Sequence, residues 1–267
     1  MTYKMIVSDL DGTLLRSDHL TVSEATQAEL RRVCRRGVRF IPASGRQPSA
    51  IRLIMRNIGL PTPVVGFSGA IIRDENDATV WERGLTKRQA LEIRALLKKE
   101  YPALTVSTYS GDLWIVDDAS SPESVYEASV LKEQPVEGDP EKLLPENACV
   151  HKVLCVGDPE ALDAVAERLK PLYPACRIYK SQATYLEIMS GEASKSAAAA
   201  VLCRLYGLSP EETIAFGDNY NDADLIEFAG LGVAAGNAPA DIRAIADLVA
   251  DTNDNDGVAK VLREKIV

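Results

Sequence analysis

The chain has 267 residues, 46% apolar, 26% charged and 6% aromatic, which allows one large or two medium domains and excludes a disordered or collagen-like chain. Lys and Arg number 30 against 39 Asp and Glu, a formal net charge of -9, the wrong sign for a nonspecific binder of nucleic acid or anionic membrane. An acidic protein that handles anionic substrates must build a local cation site, from Lys and Arg or from a metal.

Residues 3–8 read as a short buried strand. Thr21-Val-Ser-Glu24 offers a capping box for a helix ending near Gly37, and residues 38–43 form the next strand. A helix follows through Ile51, Ile54, Met55 and Ile58, and the apolar run 63–67 gives a third strand. Strands alternating with helices at this spacing predict a doubly wound, mostly parallel α/β sheet. Residues 70–72 and 79–82, separated by Asp74-Glu-Asn-Asp77, form a hairpin. After a helix over 86–99, the character changes. Residues 104–109 and 113–116 flank the turn signal Ser110-Gly-Asp112. An irregular, acidic stretch with Pro122, Pro135, Pro140 and Pro145 leads to a strand over 151–156, a helix over 159–169 and strands over 177–180 and 184–189. Alternation resumes with helix 195–206, strand 213–216, helix 222–228, strand 231–234, a short helix from Ala240, strand 248–250 and a final helix to Lys265. The reading is a core made of residues 1–84 and 191–267, with an α+β domain, 85–190, inserted between its halves.

Five scattered cysteines without a C-x-x-C pair read as small buried residues of a reducing compartment. No apolar run approaches the roughly 20 residues of a membrane helix, and the apolar start is too short for a signal-peptide core. A soluble, cytoplasmic protein without membrane or nucleic-acid partners is expected. Nothing in the residues speaks to oligomeric state.

The first strand ends in Asp9-Leu-Asp-Gly-Thr13. Carboxylates at i and i+2 of an extended segment share a face, here at a strand's C-terminal end, where open α/β sheets place their sites. Gly12 lets the chain turn there. The alternative is a solvated strand end capped by acids. A second acidic run, Gly217-Asp-Asn-Tyr-Asn-Asp222, follows the strand at 213–216. If the two strands are neighbours, Asp9, Asp11, Asp218 and Asp222 crowd one sheet edge, and their repulsion calls for a hard cation. Oxygen-only ligands suit Mg²⁺. Ser44-Gly-Arg46 follows the second strand and precedes a helix, so its backbone N–H groups and the Ser44 hydroxyl are placed to hold an anion. Arg46 by itself reads as a structural ion-pair partner, and Lys195 gains meaning only from the company of the other motifs. His19 and His151 are the only histidines, and His19 reads as a surface residue.

Asp9-Leu-Asp-Gly-Thr-Leu-Leu15, Ala43-Ser-Gly-Arg46, Lys195 and Gly217-Asp-Asn-Tyr-Asn-Asp222, in that order, resemble the four motifs of the haloacid dehalogenase superfamily. The large insert, Gly232-Val-Ala-Ala-Gly-Asn237 and Asp256-Gly-Val-Ala259 resemble its Cof-type sugar-phosphatase subfamily. The resemblance implies a Rossmann-like core with a cap, and a Mg²⁺-dependent phosphatase for small phosphorylated metabolites. It implies Asp9 as the nucleophile that becomes an aspartyl-phosphate, and Asp11 as general acid and then base. The metal would be held by the Asp9 carboxylate, the Asp11 backbone carbonyl and Asp218. The phosphate would be met by the Leu10 backbone, Ser44, Gly45, Lys195 and Asn221, with Gly12, Thr13, Arg46 and Asp222 in support. Ser68-Gly-Ala70 stands where Asn-Gly-Ala is usual, which bears on a polar contact near the pocket. Ser196 stands where Gly is usual, which bears only on backbone freedom. Tyr109, Trp114 and Tyr185 are candidate cap contacts, though core packing is the commoner role for such residues. Two other readings share these motifs: a sugar-phosphate phosphotransferase or phosphomutase, and a non-catalytic phosphate- or metal-sensing module.

Overall fold

Alternate residues of the strand Met5–Ser8 enter two separate cores, as a strand covered by helices on both sides requires. Ile6 packs with Phe40, Ile214, Phe216 and Val233 against helices Glu24–Arg35, Pro48–Asn57 and Gly257–Lys265. Met5 and Val7 pack with Ile41 and Ala215 on the other side, where the buried Ala198 and Ala199 belong to helix Lys195–Tyr206. The structure, a computed structural model, describes residues 3–266. Its central sheet is parallel, with Leu248–Val249, Leu231–Ala234, Thr213–Gly217, Met5–Ser8 and Arg39–Pro42 side by side in that order. Strands from the two ends of the sequence are therefore immediate neighbours, with Ser8 opposite Phe216.

The expected third strand is shorter and differently placed. Val64–Gly66 touches this sheet through one parallel bridge, Ala43 to Val65, and pairs antiparallel with Ile71–Arg73 in a separate three-stranded sheet with Thr79–Glu82. The first helix is also capped differently. The helix starts at Glu24, so Ser23, not Thr21, stands at the N-cap and accepts the N–H of Thr26, while the Thr21 hydroxyl donates to Asp18.

The chain divides into two compact units, one running up to Trp81 and resuming at Ser194, the other Glu82–Ala193. The second unit has a six-stranded sheet in the order Cys176–Gln182, Tyr185–Ser190, Lys152–Val156, Thr105–Ser110, Leu113–Val116, Val136–Glu137, antiparallel except for the last pair. Ile93 and Leu97 of helix Lys87–Glu100 and Leu162 and Val165 of helix Pro159–Leu169 fill its core. The stretch read as irregular contains a helix, Pro122–Leu131, capped by Ser121. Its pattern hides it: Ser124 and Glu127 face inward while Val125 and Tyr126 are exposed, the reverse of an ordinary amphipathic helix. Among the described residues no helix is long and apolar enough to cross a membrane.

Candidate active site

The neighbouring strands Met5–Ser8 and Thr213–Gly217 end at the same sheet edge and release Asp9 and Asp218 there, with the Asp9 N–H donating to the Phe216 carbonyl at 2.9 Å. The chain then turns sharply through Leu10–Leu14, and Gly12 takes φ 81°, the left-handed region. A Cβ at Gly12 would run into the Asp218 carboxylate, so glycine is required twice over. Thr13 Oγ1 donates to Asp218 Oδ1 at 2.7 Å. Leu10 points its side chain into the core.

Lys195 opens its helix directly after the N-cap Ser194 and is completely buried. Its Nζ donates to Asp9 Oδ1 and to Asp222 Oδ1. Asp222 is equally buried, and its Oδ2 accepts the N–H groups of Asp218 at 3.0 Å and Asn219 at 3.1 Å. Carboxylate oxygens of Asp9, Asp218 and Asp222 lie within 4.8 Å of one another. Asn221 sits part-buried in the turn Tyr220–Asp222 beside them. Burial pushes the Asp9 carboxyl well up; Lys195 opposes the rise, and Asp222, Asp218 and Asp11 add to it. Asp218 is likewise raised, to about 6, mainly by burial against the lowering hydrogen bond from Thr13. Burial works against the Lys195 charge, but Asp222 and Asp9 overcome it and raise its pKa. Three clustered carboxylates thus face one lysine, which pairs with only two of them, an excess of negative charge that a cation would neutralise.

Asp11 is held apart from this cluster. Arg46 Nε donates to its Oδ2 at 2.8 Å and Arg46 Nη2 to its Oδ1 at 2.6 Å, while His19 Nδ1 lies 3.1 Å from Oδ1. Arg46 is the ion-pair partner the sequence suggested, and His19, though 61% exposed, is more than a surface residue. The side chains in contact with Asp11 are Arg46 and His19, while its charge still acts on Asp9 and Asp218.

The Ser44–Arg46 turn departs from its expected role in part. The Ser44 N–H is committed to the Val65 carbonyl at 3.0 Å and the Arg46 N–H to Ser44 Oγ at 3.2 Å, so neither amide faces an anion. The helix also begins later, at Pro48, which has no N–H. The buried Ser44 hydroxyl accepts from Arg46 and keeps its own hydrogen to donate. Ser68 lies against Gly45, 3.4 Å from where a Cβ would stand, and its N–H donates to the Ser44 carbonyl at 2.8 Å. Both Phe67 and Ser68 are left-handed, at φ 49° and 50°, and a Cβ on the next residue, Gly69, would strike the Ser194 carbonyl. This strained turn braces the Ser44 and Lys195 segments against each other.

Several residues that sequence reasoning did not single out hold the site in place. Asn237 Nδ2 donates to the Gly12 carbonyl at 2.8 Å, Asn253 Nδ2 to the Leu15 carbonyl at 2.9 Å, and the Ser17 N–H to Asp254 at 3.0 Å. Asn237 was visible as the end of a motif; Asn253 and Asp254 carried no signal beyond a polar loop. Ser196 has more than a backbone role, because its hydroxyl and N–H both donate to Asp224 Oδ2, at 2.5 and 3.1 Å. Of the aromatic candidates, Tyr109 and Trp114 are buried and stacked with centroids 5.8 Å apart, and Tyr185 donates to Glu127. A second set, Glu82, Cys149 and His151, also has metal-ligand spacing. There, His151 Nδ1 accepts the Gly111 N–H at 2.9 Å, so the ring hydrogen sits on Nε2, 3.2 Å from Glu82, where a donor and not a ligand is presented.

A family profile described as haloacid dehalogenase-like hydrolase matches residues 6–262. A Haemophilus influenzae relative is 36% identical over 265 residues, 99% of both chains, and Phosphatase YwpJ of Bacillus subtilis is 30% identical over 285 residues, 97% of this chain and 99% of that one. The crystal structure of a haloacid dehalogenase-like hydrolase from Bacteroides thetaiotaomicron superposes with TM-score 0.90 at 30% identity, covering 98% and 99% of the two chains. With Asp9, Lys195, Asp218 and Asp222 gathered at the end of a parallel sheet, this chain belongs to the haloacid dehalogenase-like hydrolase family.

Proposed function

We propose that the protein is a magnesium-dependent phosphatase for small soluble organic phosphates, sugar phosphates among them, working in the cytoplasm through an aspartyl-phosphate on Asp9. The observation that carries this reading is the gathering of the Asp9, Asp218 and Asp222 carboxylates within 4.8 Å of one another, with the buried Lys195 bonded to Asp9 and Asp222. The donor set fits a hard cation. Both Asp222 oxygens are engaged, by Lys195 and by two backbone N–H groups, whereas Asp9 and Asp218 each keep Oδ2 beyond their bonds to Lys195 and Thr13. Those two oxygens, with the Asp11 backbone carbonyl, would hold the ion. Bound there, Mg²⁺ supplies positive charge against the phosphoryl oxygens.

An ionised Asp9 needs no activating base to attack phosphorus. As its oxygen bonds to phosphorus, the bond to the leaving oxygen breaks, and the Asp11 carboxyl gives that oxygen its proton. Water then attacks the aspartyl-phosphate, the Asp9–phosphorus bond breaks, and the water proton passes to Asp11, releasing phosphate. Lys195, fixed by Asp222, offsets the charge gathered on Asp9 and the phosphoryl group. Ser44, Gly45, Asn221 and the Leu10 backbone would seat that group.

The test is Asp9→Asn, which keeps shape and removes the nucleophilic charge. Hydrolysis of 4-nitrophenyl phosphate in Mg²⁺ should vanish while the variant stays folded by circular dichroism, and EDTA should abolish wild-type turnover. Undiminished activity of the variant removes the nucleophile assignment.

A further inference from the structure

We infer that His19 is a positioning residue for Asp11, fixing the direction in which that carboxyl faces the leaving group; this rests on the phosphatase reading above. The contact is built rather than incidental. His19 stands at φ 57°, in the left-handed region that non-glycine residues uncommonly adopt. The loop that carries it is closed at its base by the Arg16 N–H on the Thr21 carbonyl, and its own N–H donates to the Arg16 carbonyl, both at 2.9 Å. Asp18 staples the turn by accepting the N–H groups of Leu20 and Thr21 and the Thr21 hydroxyl.

From that fixed tip one residue reaches both members of the Asp11–Arg46 pair. The His19 carbonyl accepts Arg46 Nη2 at 2.9 Å, and its Nδ1 lies 3.1 Å from Asp11 Oδ1. Asp11 Oδ1 therefore has two partners, Arg46 Nη2 and His19, whereas Oδ2 has one, Arg46 Nε. The asymmetry leaves Oδ2 as the oxygen with a lone pair to spare for the transferred proton. Arg46 by itself would hold the carboxylate plane; adding His19 to one oxygen only sets which edge is offered.

The experiment uses two substitutions compatible with a left-handed backbone. His19→Gly keeps the backbone and its carbonyl but removes the ring, and His19→Asn restores a short donor near Asp11. The readout is kcat/KM, which covers only the steps through phosphoenzyme formation, for two esters: glycerol 2-phosphate, whose alkoxide needs a proton, and 4-nitrophenyl phosphate, whose phenolate does not. Because a well-placed general acid contributes about 100-fold or more, its misorientation in His19→Gly should cost about tenfold on the alkyl ester and under about threefold on the aryl ester, with His19→Asn recovering most of the loss. Equal losses on both esters, or none, overturn the assignment and leave His19 a loop residue. Asp11→Asn separates this from failure of the underlying reading: if it cleaves the alkyl ester as fast as wild type, Asp11 is not the acid and the His19 inference falls, whereas the phosphatase reading falls only on the Asp9→Asn test.

Discussion

The Thr13 hydroxyl donates to Asp218 Oδ1 at 2.7 Å although the two residues are 205 positions apart in sequence. The bond ties the turn after the first strand to the loop after its neighbour, and it opposes the rise that burial imposes on the Asp218 carboxyl. Thr13→Val keeps the shape and deletes the donor. The loss of about 1 kcal/mol typical of one hydrogen bond should raise the Mg²⁺ concentration for half-maximal activity roughly fivefold. A magnesium titration of turnover checks this; an unchanged midpoint would mean that Thr13 serves packing alone.

Lys195 and Asp222 are both fully buried, so Lys195→Met leaves Asp9 and Asp222 as buried carboxylates without their cation. Breaking a buried pair from one side costs about 3–5 kcal/mol, and urea unfolding should show a loss of that order together with loss of activity. Lys195→Met combined with Asp222→Leu should recover part of the stability and none of the activity. A double variant no more stable than the single one contradicts the charge argument.

Gly12 and Gly37 have nearly the same backbone, at φ 81° and 84°, but different surroundings. An added Cβ at Gly37 meets nothing within 4 Å, whereas at Gly12 it strikes the Asp218 carboxylate. Both alanine variants should lose about 1–2 kcal/mol from left-handed strain. Only Gly12→Ala should lose turnover, by about 100-fold, because it displaces Asp218. Thermal melts beside phosphatase assays on the two variants separate strain from displacement, and comparable activity in both would refute the role given to Gly12.

Magnesium affinity should depend on pH through Asp218. Its pKa is raised in the fold from 3.8 to about 6, so the metal-free native state binds more protons than the unfolded chain between those values. Stability from this group therefore falls as pH rises across that window and is lowest above it. Magnesium requires the ionised carboxylate and displaces the proton, so the Mg²⁺-induced rise in Tm should be larger at about pH 7.5 than at about pH 5. Equal shifts at both pH values would place the ion elsewhere.

Much of this protein is readable in its sequence. Helix Pro159–Leu169 announces itself by Asp158 at its cap, Pro159 at its first position and an apolar face at helical spacing; the Ser110-Gly-Asp112 hairpin does so by its turn residues. Helix Pro122–Leu131 was invisible because its buried residues are Ser124 and Glu127, and periodicity arguments count only apolar ones. The acids of the site were legible because they stand at strand ends, where sheet direction fixes their side. Their partners were not. That Asp11 faces Arg46 and His19, and that the Ser44 and Arg46 amides are consumed internally, follows from turns whose left-handed residues, His19, Phe67 and Ser68, are not glycines and give no local warning.

The order of strands, helices and acidic motifs, and with it the family and the set of oxygen donors, is written in the linear sequence, since local propensity and short motifs act over a few neighbouring residues. Which oxygen of each carboxylate is taken, and by what, was decided only when the chain closed: Lys195 reaches Asp9 across 186 residues and Thr13 reaches Asp218 across 205. Hydrogen bonds and charge pairs depend on distances of a few ångströms, and between segments so remote those distances exist only in the folded molecule.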